Sequence, residues 1–135
     1  MKLDQARSST SLSSTTFMER VMERYALAVL YYATNGPAWI RNDFGYLSSA
    51  DVCQWNNGLD PFLNSLALGI VCSLESVSHI LLNDNGLQCL IPWELFVLSD
   101  LERIALDENS LEGTIPGEVA SLSLRRIFWV SSNVS

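Results

Sequence analysis

The side chains in this sequence that could carry chemistry are few and widely spaced. There is one histidine, His79, and there are three cysteines, Cys53, Cys72 and Cys89. A zinc site needs more His, Cys or carboxylate ligands at close spacing, and a nucleophile needs an activating base beside it. The sequence contains no HxxxH, CxxC or GxSxG motif and no glycine-rich phosphate-binding loop. We therefore expect no catalysis, no cofactor and no metal centre in this chain.

Acidic residues are the remaining candidate ligands. The adjacent pair Asp107 and Glu108 could bind Ca²⁺, although neighbouring acids on a loop are far more often solvated. Residues 73–124 hold nine carboxylates and one basic residue, Arg103, and the chain has a formal net charge of −7 with eight Lys and Arg. Phosphate binding needs clustered basic residues, so nucleic acid is not an expected partner. The acidic surface fits either simple solvation or a basic protein partner.

The start of the chain bears on its location. Residues 1–16 are rich in Ser and Thr and lack the apolar core of a secretory signal, so we predict a flexible tail. No stretch reaches the ~18 apolar residues that a membrane span requires. Two locations stay open: the protein is intracellular, or this start is not the natural start of an exported chain.

A helix should follow the tail. Apolar residues keep helical spacing at Met18, Val21, Met22, Tyr25, Val29 and Tyr32. Glu19, Arg20, Glu23 and Arg24 share the opposite face. Thr16 and Glu19 form a capping-box pattern, and the sequence Asn-Gly-Pro at 35–37 is a typical stop. We predict a helix of about four turns whose apolar face packs in the core. Residues 38–74 lose this periodicity and should form an irregular segment packed by aromatic side chains.

A repeat of 24 residues organises the second half of the chain. The stretch NDNGLQCLIPWEL at 83–95 returns as DENSLEGTIPGEV at 107–119. A third copy starts within 125–135 in the same frame if Asn133 aligns with Asn85 and Asn109, whereas a frame shortened by one residue also fits. Such a period indicates a solenoid of stacked strands, with Ile80, Leu82, Ile104 and Leu106 pointing inward. Asn85, Asn109 and Asn133 would then form a structural ladder that satisfies backbone groups at each turn.

This pattern resembles the plant-type leucine-rich repeat, LxxLxLxxNxLxGxIPxxLxxLxx. The resemblance implies an α/β fold: a right-handed parallel-strand solenoid with an N-terminal helical cap. The expected divisions are a tail at 1–16, a cap at 17–76 and repeats at 77–135, split into 77–100, 101–124 and a partial 125–135. Two departures stand out. Residues 57–68 look like an insertion in the cap, and Cys89 replaces a glycine of the motif, so a Cβ should strain that turn unless its φ is tolerable.

The resemblance also implies a disulfide. In such caps two cysteines join the aromatic segment to the first strand, which here are Cys53 and Cys72. Cys89 would then be free and buried. The alternative is a cytosolic protein with three reduced thiols.

Ligand recognition in this family uses outward residues of the strands. The corresponding residues here are His79, Leu81, Asn83, Asp84, Arg103, Ala105, Asp107, Glu108 and, in the unbroken frame, Trp129. They form an apolar line and an acidic line, suited to a ligand with an apolar side chain flanked by Lys or Arg. In the shortened frame Trp129 turns inward instead. The triplet at 133–135 is a weak glycosylation signal that conflicts with a buried Asn133.

These features predict a non-catalytic module that recognises a protein or peptide. It would be a fragment of a longer receptor-like leucine-rich repeat protein on the extracellular face of the plasma membrane. Any membrane span or signalling domain would lie outside this chain. The alternative is a short intracellular scaffold, which would keep Cys53 and Cys72 as free thiols.

Overall fold

The computed structural model describes the backbone of residues 14–112 and the side chains of residues 17–112. The helix α1 covers Ser14–Ala33, so it includes three residues of the segment that the sequence assigns to the tail. Its predicted stop is confirmed. Asn35 adopts a left-handed backbone with a φ of 60°, and a 3-10 helix follows at Gly36–Ala38. Asn tolerates this conformation better than most residues and commonly ends helices.

The predicted core face of α1 is wrong. Met18, Tyr25 and Tyr32 are 54%, 54% and 68% exposed. The buried face instead consists of Ala26, Leu27, Leu30 and Thr34. The stripe predicted from the sequence and the stripe that is buried both satisfy helical spacing. The contacts of charged side chains determine which of the two faces the core. Arg24 faces the body of the protein, where it donates to the carbonyl oxygens of Ser48 at 3.0 Å and Ala50 at 2.6 Å.

Aromatic rings pack the irregular segment that follows, as predicted. Tyr46 is at the centre, with ring centroids 5.0 Å from Trp39 and 4.9 Å from Trp55. Its hydroxyl donates to the carbonyl oxygen of Leu27 at 2.7 Å, which joins the segment to α1. Complete burial raises the pKa of Tyr46 well above its ordinary value. A second 3-10 helix, Val52–Gln54, leads towards the sheet.

Within residues 14–112, five short strands form two sheets. The first contains β1 (Gly69–Ser73), β2 (Ser76–Leu81) and β4 (Arg103–Ala105), in the order β1-β2-β4. β1 and β2 are antiparallel, whereas β2 and β4 are parallel with Ile80 opposite Ile104. The second sheet pairs β3 (Gln88–Cys89) with β5 (Ser110–Leu111) in parallel. A third 3-10 helix, Trp93–Val97, packs against α1.

The predicted solenoid is therefore wrong. Residues 14–112 form one α-helix, a mixed three-stranded sheet and a two-stranded sheet, and they do not wind into a parallel-strand superhelix. The 24-residue offset occurs once between β2 and β4, and β1 then closes the other side of β2 in the antiparallel direction. A superhelix needs several stacked units, and within residues 14–112 the two copies supply two short parallel pairs, β2 with β4 and β3 with β5. The predicted third copy at 125–135 lies outside the described residues.

The offset still positions buried polar groups. Asn109 Oδ1 accepts hydrogen bonds from the backbone N–H groups of Asn85 and Leu87, both at 2.9 Å. Its Nδ2 donates to the carbonyl oxygens of Leu82 at 2.9 Å and Leu106 at 3.0 Å. Asn85 in turn bonds both backbone groups of Arg41. Ile80, Leu82, Ile104 and Leu106 are buried beside this network, facing the core.

Candidate functional site: the strand face and its covering segment

The predicted binding residues do not form an open strand face. His79, Leu81 and Ala105 are 6%, 4% and 5% exposed. Asn83, Arg103 and Asp107 are half-buried, while Asp84 and Glu108 are exposed. Trp129 lies outside the described residues. Leu81 and Ala105, the described members of the apolar line that the sequence predicts as a ligand anchor, are therefore covered, and the polar residues at its ends remain accessible.

The cover is the segment 57–68, which the sequence marks as an insertion. We call it the covering segment. Ala67 packs against Leu81 and Ala105 to form a small apolar cluster, with Val71 at its edge. The Phe62 ring stands edge-on to the His79 ring, with centroids 5.5 Å apart and an interplanar angle of 86°. The outward strand side chains thus pack against their own chain, which is why they are buried.

Short polar side chains hold the covering segment in shape. Asn57 Nδ2 donates to the carbonyl oxygen of Leu66 at 2.9 Å, and its Oδ1 accepts from the Leu68 N–H at 3.1 Å. Asp60 Oδ1 accepts from the Phe62 N–H at 2.8 Å. Asn and Asp side chains commonly replace strand or helix hydrogen bonds in this way. The segment therefore has a defined shape without regular secondary structure.

The outer side of the covering segment is apolar. Leu59, Phe62, Leu63 and Leu66 are 39%, 69%, 85% and 74% exposed. Four large apolar side chains within eight positions form an exposed patch of the kind that often marks an interaction site.

Two clefts are lined partly by residues of this patch. The first has a volume of ≈ 440 Å³, and His79, Glu102 and Phe62 are among its lining residues. The second has a volume of ≈ 580 Å³ and brings Leu59 and Leu66 together with Asn83 and Asp84. Of the predicted binding residues, His79 lines the first cleft, and Asn83 and Asp84 line the second.

Each cleft contains at least one acidic group. Asp60 and Asp84 belong to the cleft linings, and Asp107 and Glu108 follow β4 in the chain. Arg41 also borders the second cleft, but it hydrogen-bonds Asp43 at 3.1 Å and lowers the pKa of that carboxyl. A cation entering the second cleft would meet Asp84. The positive charge of Arg41, which borders the same cleft, is already offset by Asp43.

One buried pair could suggest catalysis. Ser78 Oγ lies 2.7 Å from His79 Nδ1, which is hydrogen-bond distance. Ser78 is completely buried, and its hydroxyl also contacts Val71 and Ser73. A nucleophile must reach its substrate, so this pair stabilises the strand rather than performing chemistry. Between residues 14 and 112, no three His, Cys, Asp or Glu side chains are grouped so that they could hold a metal ion.

The cysteines are arranged partly as expected. Cys53 and Cys72 form the predicted disulfide, with Cα atoms 5.4 Å apart, and it joins the 3-10 helix before the covering segment to β1 after it. Cys89 is free, but the prediction that it is buried is wrong. It belongs to β3, where Gln88 and Cys89 both face solvent. Its φ is 69°, so the turn keeps the backbone conformation of a glycine although a side chain is present.

Comparison with known proteins gives one informative match. The receptor-like kinase TMK4 of Arabidopsis thaliana is 30% identical over 86 residues. The chain resembles part of a receptor-like kinase. The matched region is 64% of this chain and 8% of the kinase. No protein-family model matches the sequence, and no solved structure matches it.

The similarity and the intramolecular disulfide fit an extracellular location. No described helix is both long enough and apolar enough to cross a membrane.

Sequence reasoning missed the role of the covering segment. It identified residues 57–68 as an insertion but assigned recognition to the strand residues beneath it. The available signal was composition: Leu59, Phe62, Leu63 and Leu66 are large apolar residues in a segment with no helical or strand periodicity. Large apolar residues either pack against another element or lie on the surface. The covering segment does both, because one part of it packs on the strands and another part is exposed.

Proposed function

We propose that this chain recognises a protein or peptide ligand as the extracellular part of a longer receptor-like protein. The observation that carries the proposal is the apolar patch of the covering segment, whose residues help to line two clefts that also contain carboxylates. Similarity to a receptor-like kinase and the disulfide support the extracellular setting. The catalytic function of that kinase is not proposed for this chain.

The chemistry of the surface defines the ligand class. Phe62, Leu63 and Leu66 supply apolar contact area, and its removal from water favours association. Asp60 and Asp84 favour a cationic group beside the apolar anchor and speed its approach. The proposed ligand is therefore a peptide segment with an apolar side chain flanked by Lys or Arg.

A displayed library of random peptides tests this proposal. Selection against the 135-residue chain should enrich apolar residues flanked by Lys or Arg, and an enriched peptide should bind more weakly as salt increases. Leu66→Ser should weaken its binding at least tenfold, whereas Leu90→Ser is a matched control because Leu90 is also exposed and lies outside both clefts. Enrichment of no peptide, or equal binding by both variants, would contradict the proposal.

The redox state separates this function from the intracellular scaffold. Mass spectrometry of the protein isolated from its source, under non-reducing conditions, should find Cys53 joined to Cys72. Free thiols at both positions would favour the scaffold and count against an extracellular receptor.

A further inference from the structure

The exposed stripe of α1 has the spacing of a helix-pairing seam. Met18, Met22, Tyr25, Val29 and Tyr32 follow one another at intervals of four, three, four and three residues. This alternation keeps side chains on one line of a helix that faces a partner helix. Met22 and Tyr25 are 40% and 54% exposed, and Val29 is half-buried. We call these five residues the helix seam.

The helix seam is complementary to itself. Tyr25 is its midpoint, and Met18 and Tyr32 each lie seven residues away, at about 10.5 Å along the helix. When two such helices pair antiparallel with Tyr25 on the two-fold axis, Tyr32 of each copy meets Met18 of the other. Aromatic rings make favourable contacts with methionine sulfur.

A groove lies at the methionine end of the seam. Met18 and Met22 line it together with Val97 of the adjoining 3-10 helix and Leu98 directly after it, and its volume is ≈ 210 Å³. The carboxylates of Glu19 and Glu23 also line it. A cavity of about 150 Å³ accommodates benzene, so this groove has room for an aromatic ring. Asp100 also borders it and could accept a hydrogen bond from a tyrosine hydroxyl. Tyr32 is the most exposed member of the seam, at 68%, and it has the matching shape and polarity.

The helix seam itself is uncharged. The chain as a whole carries −7, but α1 contains two acids and two arginines, so its own residues carry no net charge. Arg20 is bound to Asp51 and Glu75 at 2.8 Å, and Arg24 is bound to backbone carbonyls. The five seam residues are Met, Tyr and Val, so pairing two copies along the seam brings no charged seam residues together.

The available area is sufficient. Phe17 and Val21, 58% and 45% exposed, flank the seam and extend its apolar surface. With these residues, a two-fold contact would bury roughly 1,200 Å² in total, which is the lower end of the range for specific interfaces. We propose that the chain forms a homodimer through antiparallel pairing of the helix seam. This pairing uses a different face of the molecule from the proposed ligand site.

Sedimentation of the full 135-residue chain between about 1 and about 100 µM tests the dimer, since this range covers weak specific association. The wild type should approach twice the monomer mass at the upper end. Tyr25→Arg should remain a monomer because it places two positive charges together on the axis. Leu63→Arg is the matched control, an exposed apolar residue on the covering segment, and should still dimerise. A wild type that stays monomeric, or a dimer lost only in Leu63→Arg, overturns the proposal.

Cysteine cross-linking tests the arrangement without relying on a disruptive change. In a Cys89→Ser background, Tyr25→Cys should give a disulfide-linked dimer on mild oxidation, while Leu63→Cys should not. Met18→Cys alone should also fail, because antiparallel pairing separates the two copies of that position. Cross-linking by Met18→Cys would indicate parallel helices and would overturn the two-fold arrangement.

Discussion

Cys89 shows how one residue can strain a turn that the rest of the chain maintains. Its φ of 69° is a conformation that costs an L-residue about 1–2 kcal/mol, and its side chain is exposed and contributes little packing. Cys89→Gly removes the strain but increases the freedom of the unfolded chain, which offsets about half of the gain. We expect a net stabilisation of about 0.5 kcal/mol in chemical denaturation. Cys89→Ser keeps the Cβ and should leave the stability nearly unchanged. A Gly variant less stable than the Ser variant would contradict this account.

Glu23 is a carboxylate held in a partly buried position on α1. Burial raises its pKa, although the Val77 N–H donates to it at 2.9 Å and Arg20 is nearby. A raised folded-state pKa means that folding disfavours the charged form. The resulting cost is complete above the folded pKa and disappears below the unfolded pKa.

Glu23→Gln tests this cost because glutamine keeps an oxygen that accepts from the Val77 N–H but carries no charge. The variant should unfold at higher denaturant concentration than the wild type at pH 7. The difference should shrink as the pH falls through the raised pKa of Glu23. Glu19→Gln, at an exposed position on the same helix, is the control. An equal gain from both variants would assign the effect to net charge rather than to burial.

At the scale of elements, Asn109 connects the strands and turns of the two 24-residue copies. Asn109→Ala would leave the N–H groups of Asn85 and Leu87 and the carbonyl oxygens of Leu82 and Leu106 without this partner in the interior. A buried polar group that loses its partner costs about 1–3 kcal/mol. We expect a loss of about 3 kcal/mol in the free energy of unfolding, measured by urea titration. Asn83→Ala is the control, because Asn83 is half-buried and lies outside this network. It should cost less than about 1 kcal/mol, which is usual for such sites. Similar losses from both variants would contradict a special role for Asn109.

The elements also show what sequence patterns can and cannot predict. The 24-residue period correctly aligned Ile80 with Ile104, because matched inward residues fix strand register. The same period did not reveal that β1 pairs antiparallel with β2, since β1 lies before the repeat begins. On α1, two apolar stripes fit the helical period equally well. Tertiary contacts, among them those of Arg24 and the Tyr46 hydroxyl bond to Leu27, select the stripe that contains Leu27 and Leu30.

The candidate site was predicted less well than the strands, for a related reason. Sequence periodicity identifies which strand residues alternate outward, and His79, Leu81 and Ala105 were assigned in that way. It cannot show that an aperiodic segment folds back over them, because that contact depends on Ala67 and Phe62 meeting the sheet across a turn. The acidic residues at the ends of the strands are not buried in this way, since the covering segment leaves them accessible.

For the whole molecule, the covering segment couples the sheet to the proposed ligand surface. Ala67 is 7% exposed and lies against Leu81 and Ala105, so Ala67→Asp would place a carboxylate in an apolar contact. The segment should then separate from the strands instead of burying the charge. We expect a loss of about 1–3 kcal/mol in stability, with faster amide hydrogen exchange in β2 and β4 than in α1.

Leu63→Asp, at an 85% exposed position of the same segment, adds the same charge without this burial and should change neither quantity. If Ala67→Asp instead accelerated exchange equally in α1 and in the sheet, the segment would be an integral part of the core.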